Sequence, residues 1–141
     1  MVSIVGKYEF DQSDVKDDND YLKSLGVGLV LRKVLTTARP KLEILYAPDT
    51  DEWCIKTATT FKTTTFRFKV GQKVEDETFD ARKCTTMGEI FADDKIVLHQ
   101  TCEEGPNVIV VKEKFDGDKL RMTLIADNVS TTQIFKRVTP A

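Results

Sequence analysis

Apolar and polar residues alternate over most of this chain, and the exceptions gather in one stretch near its start. Tyr8 and Phe10 share a face of a short first strand, with Lys7 and Glu9 on the other. Asp11-Gln12-Ser13-Asp14 then offers several helix caps. The period changes next. Tyr21, Leu22 and Leu25 fall on one side of a predicted helix over about 14–25, which Gly26 can end. A second predicted helix covers about 27–37, with Val27, Val30, Leu31, Val34 and Leu35 at i,i+3 and i,i+4 spacing and Pro40 as its stop. Its arginine and lysine, Arg32 and Lys33, take the other side.

After Pro40 the alternation returns and stays. Leu42, Ile44 and Tyr46 share one face; Trp53, Ile55 and Thr57 share another after the Pro48-Asp49-Thr50-Asp51 break. Phe66, Phe68 and Val70 precede a turn at Gly71, and weaker strands are expected near Val74 and over 83–90. The last four strands are clear: 96–102, 108–115, 120–126 and 130–138, separated by turn residues such as Glu104-Gly105-Pro106-Asn107 and Asp116-Gly117-Asp118. This amounts to about ten short strands joined by tight hairpins, with one helical insert after the first. Open edges on so many strands would invite aggregation, and closure removes them. The predicted fold is therefore all-β: a ten-stranded antiparallel up-and-down β-barrel (a clam), with a helix-turn-helix lid over about 14–37.

One face of the late strands carries a mixture. Leu98, Gln100, Val110, Lys112, Met122, Leu124, Gln133 and Phe135 lie together if the alternation is followed. A solid core would have to satisfy the amides and the ammonium within itself, at considerable cost. A cavity holding water or a ligand accommodates the same mixture more easily. These eight residues, joined by Phe66, are the expected cavity lining.

Length and composition narrow the picture. The chain has 141 residues, enough for one domain spanning 1–141, with 40% hydrophobic and 31% charged residues. Lys and Arg number 21 against 23 Asp and Glu, a net charge of −2, so no field draws it onto a nucleic-acid backbone. The start has no signal-like apolar run, and no stretch of about 18 apolar residues suits a membrane span. Cys54, Cys84 and Cys102 lie far apart and are read as free thiols, which gives a cytoplasmic address.

Candidate chemistry is thin. The single histidine, His99, alternates away from Leu98 and Gln100 and reads as a surface residue. The acidic runs Asp17-Asp18-Asn19-Asp20 and Glu75-Asp76-Glu77 lack the alternate-position pattern of a calcium loop and read as a solvated helix start and a turn. No catalytic residue, metal site or cofactor is expected.

Several segments resemble the intracellular fatty-acid-binding and retinoid-binding protein family, in order and over essentially the full length. Gly6-Lys7-Tyr8-Glu9-Phe10 followed by Asn19-Asp20-Tyr21-Leu22-Lys23-Ser24-Leu25-Gly26-Val27-Gly28 is similar to the family's N-terminal signature, with Tyr8 where Trp is common. Thr59-Thr60-Phe61-Lys62-Thr63-Thr64 resembles its portal hairpin; Phe68-Lys69-Val70-Gly71 and Asp80-Ala81-Arg82-Lys83 continue the match. The resemblance implies a lipocalin-like barrel that carries one fatty acid or similar lipid without catalysis, as a monomer. It also implies a portal rim from Val30, Val34 and Phe61. Lys112 stands where the fatty-acid branch commonly has an arginine, and Gln133-Ile134-Phe135 replaces its Arg-x-Tyr. That departure looks more like the retinol-binding branch, so a carrier of retinol, another retinoid or a neutral lipid is the alternative. Lys112 and Gln133 are the expected headgroup contacts, with Phe135 beside them. Lys23, Arg32 and Lys33 are expected to let the lid touch anionic membranes transiently.

Overall fold

The turns organise the sheet. Asp127 takes a left-handed conformation (φ 54°) in the two-residue loop that makes Ala126 and Val129 direct partners. Asp116 and Gly117 do the same (φ 48° and 75°) between Phe115 and Lys119. Such turns match the right-handed twist of the strands they join.

The structure is a computed structural model that describes residues 4–60, 62–77, 82–92 and 94–138. Its elements are β1 (Gly6–Ser13), α1 (Val15–Ser24), α2 (Leu29–Thr37), β2 (Lys41–Ala47), β3 (Glu52–Ala58), β4 (Thr63–Phe68), β5 (Lys73–Glu77), β6 (Lys83–Phe91), β7 (Lys95–Cys102), β8 (Val108–Phe115), β9 (Lys119–Ala126) and β10 (Val129–Arg137). All ten strands form one antiparallel sheet in the order β4-β3-β2-β1-β10-β9-β8-β7-β6-β5. The two ends of that sheet, β4 and β5, follow each other in the chain but are not hydrogen-bonded neighbours. The expected ten-stranded antiparallel barrel is thus present, nearly closed. Side chains do the work at the seam, where the Phe68 ring of β4 lies against Gly88 of β6.

The helices sit between β1 and β2. Asp14 caps α1 by accepting from the Asp17 amide at 3.0 Å. At the other end Gly26 (φ 84°) turns the chain left-handed. Val27 N–H then reaches Leu22 O and Gly26 N–H reaches Lys23 O, the paired bonds of a Schellman stop. Tyr21, Leu22, Leu25 and Val27 are buried as expected. On α2 the expectation fails in part. Val30 (78% exposed), Leu31 and Val34 face outward, and Leu35 packs against the core instead. Arg32 also differs from its expected outer placement. It donates to Asn19 Oδ1 (3.1 Å) and Val27 O (2.6 Å), tying the two helices together.

The cysteine expectation is overturned. Cys84 and Cys102 form a disulfide, and Cys54 alone is a free, buried thiol. The reason is hairpin register. Phe91 pairs with Lys95, and counting outward from that turn makes Cys84 and Cys102 direct partners on β6 and β7. Closing that loop stabilises the oxidised form by about 3 kcal/mol in the chain-entropy account.

Candidate ligand-binding site

Within the barrel, under the helices, lies a cavity of about 370 Å³, a size suited to small-molecule ligands. Register lays its lining out in rows. Lys112, Met122, Gln133 and Ser13 are successive cross-strand partners from β8 through β10 to β1. Leu98, Val110, Leu124 and Thr131 form the next row. Lys112 and Gln133 are two strands apart, roughly 10 Å between backbones, so long side chains can converge over Met122.

Eight of the nine expected lining residues border this cavity: Phe66, Leu98, Gln100, Val110, Lys112, Met122, Leu124 and Gln133. Phe135 does not. It is completely buried, edge-to-face with Phe10 at 5.8 Å, and Phe10 takes the position on the cavity wall. Alternation gives a residue's face but not its depth, and two residues beyond Gln133 the strand has entered the packed end of the barrel.

The expected rim is also revised. Among the described residues α2 contributes Leu35 and Thr36 to the cavity wall, followed by Ala38, while Val30 and Val34 stand outside it. Phe61 lies outside the described residues.

Lys112 is the electrostatic focus. It is 5% exposed, and among the described residues it has no ion pair or hydrogen bond. Burial lowers its pKa from 10.5 to about 8, because a charged ammonium loses its hydration there. An unpartnered cation of this kind favours an incoming acceptor, above all an anionic one.

Several wall residues escaped the sequence reading. Asp18 is buried rather than solvated; it accepts from Ser13 Oγ at 2.6 Å and from Thr131 Oγ1, pinning α1 to β1 and β10. Its one clue is that Asp18 follows Asp14 by one helical turn, on the side of Tyr21 and Leu22. Lys62 and Arg82 also border the cavity, so Lys112 is not the sole cation on its wall. Arg82 Nη1 donates to Glu104 O (2.7 Å) and Pro106 O (3.2 Å), holding the turn before β8. His99, on the outer side, bonds Glu89 at 2.7 Å.

A nearly closed ten-stranded barrel, capped by two helices around an apolar cavity with a buried cation, defines a ligand-enclosing class of protein. Residues 5–139 match the model of the lipocalin / cytosolic fatty-acid binding protein family, and the chain belongs to that family. It is 40% identical over 135 residues to sodium/calcium exchanger regulatory protein 1 of Doryteuthis pealeii, covering 96% of both chains. It is 37% identical over 139 residues to cellular retinoic acid-binding protein 1 of Gallus gallus, covering 97% of this chain and 99% of the relative. Among solved structures it resembles the REP1-NXSQ fatty acid transporter, with TM-score 0.89, 36% identity and complete coverage of both chains. It also resembles a Schistosoma mansoni fatty acid binding protein in complex with arachidonic acid, with TM-score 0.88 and 25% identity, covering 99% of this chain and 98% of that one.

Proposed function

We propose that this protein is a non-catalytic carrier of one long-chain fatty acid or similar hydrophobic molecule, acting in the cytoplasm as a single-domain monomer. The tail occupies the apolar cavity and the headgroup meets Lys112 and Gln133. The observation that carries this reading is Lys112 itself: a buried ammonium without a counter-ion among the described residues, on a wall that also holds Leu98, Val110, Met122 and Leu124. Relatives named for fatty acid and for retinoic acid, both carboxylates on apolar chains, agree with it. The Cys84–Cys102 disulfide removes the cysteines as a ground for the cytoplasmic address, which rests on the family instead. Mass spectrometry of organic extracts from natively purified protein is the test. One dominant long-chain lipid in near-stoichiometric amount is expected, and a lipid-free protein that also fails to take up added fatty acid refutes carriage.

A neutral ligand, retinol or another retinoid among them, is the second reading. It is favoured by Gln133, which puts a neutral amide on the cavity wall where an acid-binding site would gain from a guanidinium fork.

Transfer to and from membranes follows from the lid. Leu29, Val30 and Val34 are exposed on α2 beside Lys33, with Lys23 at the end of α1. Apolar contact with the bilayer and attraction of these lysines to anionic lipid then act together. Val30→Ser combined with Lys33→Glu is expected to slow transfer of a fluorescent fatty acid to anionic vesicles several-fold, and to neutral vesicles less. Equal rates for variant and wild type on anionic vesicles at low salt argue against contact through the lid. A separate kinetic role is proposed for Phe61 in the portal. Phe61→Ala should change stopped-flow on- and off-rates together while leaving thermal stability nearly constant, and unchanged rates remove Phe61 from the portal.

A further inference from the structure

Lys112 combines three properties that a headgroup contact alone does not require: burial, no ionic partner among the described residues, and a position within an apolar cavity large enough for a ligand. We propose that Lys112 captures long-chain aldehydes as a reversible imine, giving the cavity a covalent ligand class beside its non-covalent one.

The proposal rests on the carrier reading, since the aldehyde must first bring its tail into the cavity. An ordinary surface lysine is a hydrated ammonium whose lone pair is occupied by a proton. A lysine desolvated in an apolar site holds far more of its free-amine form, which is the nucleophile in Schiff-base chemistry. The lowered pKa of Lys112, about 8 through burial, agrees with this placement. Its cross-strand partners are Ile96 and Met122, neither of which offers it a carboxylate. Two carboxylates border the cavity among the described residues: Asp18, already engaged by Ser13 and Thr131, and Asp76 of β5, which forms no ion pair with Lys112.

The step balances without any oxidant or reductant. The Nζ lone pair forms a bond to the aldehyde carbon, and the carbonyl π pair moves to oxygen. Nζ gives up its two protons, the oxygen leaves as water, and a C=N double bond replaces C=O. Gln133, beyond Met122 in the same row, is placed to hydrogen-bond the oxygen while it is still attached. Hydrolysis returns the aldehyde, so the link suits delivery rather than permanent modification. A tail that fills the cavity displaces water from it, which favours the imine over its hydrolysis.

The test uses hexadecanal with cyanoborohydride, which reduces an imine to a stable secondary amine, followed by intact mass and peptide mapping. The expected result is one hexadecyl group per chain, at least tenfold enriched on the peptide that contains Lys112. Lys112→Met, checked by circular dichroism for folding, should lose that enrichment. Site mapping in the wild-type protein stands even if the variant fails to fold. Label spread over surface lysines without enrichment at Lys112 overturns the proposal. Hexadecanol binding to the wild type is measured in parallel. If the alcohol binds while Lys112 stays unlabelled, imine capture is wrong and carriage survives; if neither aldehyde nor alcohol enters, both readings fall.

Discussion

Lys112→Met is expected to stabilise the ligand-free protein and, in the same stroke, to weaken its grip on a fatty acid. The first effect comes from burial. A fall in pKa from 10.5 to about 8 corresponds to about 3 kcal/mol by which the folded state disfavours the charged amine. Methionine has similar length and no charge to desolvate, so most of that cost is relieved. For a chain of this size the melting temperature should rise by about 5–10 °C at pH 7. The pH dependence has a fixed sign. Between pH 8 and 10.5 the unfolded wild type binds more protons at Lys112 than the folded one, so wild-type stability rises with pH there. The gap between variant and wild type should accordingly be largest below pH 8 and shrink as pH climbs through that window.

The binding effect comes from the lost charge. A charged hydrogen bond contributes about 1.5–3 kcal/mol net, so the variant should hold a fatty acid about 10- to 100-fold more weakly. The alcohol of equal chain length should be spared or gain slightly. Above pH 8 the wild-type cavity must take up a proton to pair with a carboxylate, and acid affinity should fall by up to about tenfold per pH unit. Gln133→Leu removes a neutral contact of about 0.5–1.5 kcal/mol and should affect acid and alcohol alike. Calorimetric titration of both variants with the matched pair checks all of this. A variant no more stable than wild type, with an unchanged acid-to-alcohol ratio, would show that Lys112 neither suffers from burial nor meets the headgroup. An alcohol that depends on Gln133, with acid binding indifferent to Lys112, would favour the neutral-lipid reading.

Much of this site is legible in the alternation alone. Once the last four strands are joined by short turns, register makes Lys112, Met122 and Gln133 neighbours, and the structure has them so. Phe135 shows where that reasoning stops, because period two says which face a side chain takes and nothing about how far down the barrel it lies. The disulfide shows the opposite case. Cys84 and Cys102 look scattered along the chain, yet they are equidistant from the turn between Phe91 and Lys95, and attention to register would have paired them. On α2 the helical period is sound, but Val30 and Val34 face outward. A lid helix over a cavity has less core to cover than its apolar stripe would suggest. Asp18 eluded the pattern because buried carboxylates are rare unless paired, and its partners Ser13 and Thr131 come from the two ends of the chain.

The seam between β4 and β5 was not legible at all, and it yields the largest structural prediction. Among the described residues β4 and β5 are not paired across it, and the edge is closed by Phe68, 2% exposed and stacked on Phe66 at 5.6 Å. The Phe68 ring rests on Gly88, whose carbonyl also accepts from the Gly71 amide at 3.1 Å. A Cβ added at Gly88 would lie 2.3 Å from Phe68 Cε2 and 2.5 Å from Cδ2, far inside contact distance. Gly88 has no positive φ, so the objection to a side chain there is steric rather than a matter of backbone strain. Gly88→Val must therefore displace a fully buried ring. Overpacking of a filled core costs about 1–3 kcal/mol, and loss of the ring's own packing can add to that. A destabilisation of about 3 kcal/mol is expected, lowering the melting temperature by about 6–12 °C. Phe68→Leu provides the decisive comparison, since it shortens the side chain that a valine at 88 would strike. In that background Gly88→Val should cost at least 1 kcal/mol less than in the wild type, by a double-mutant cycle in urea. Equal costs in the two backgrounds would mean that the ring does not close the seam through Gly88, and that the edge is held by some other contact.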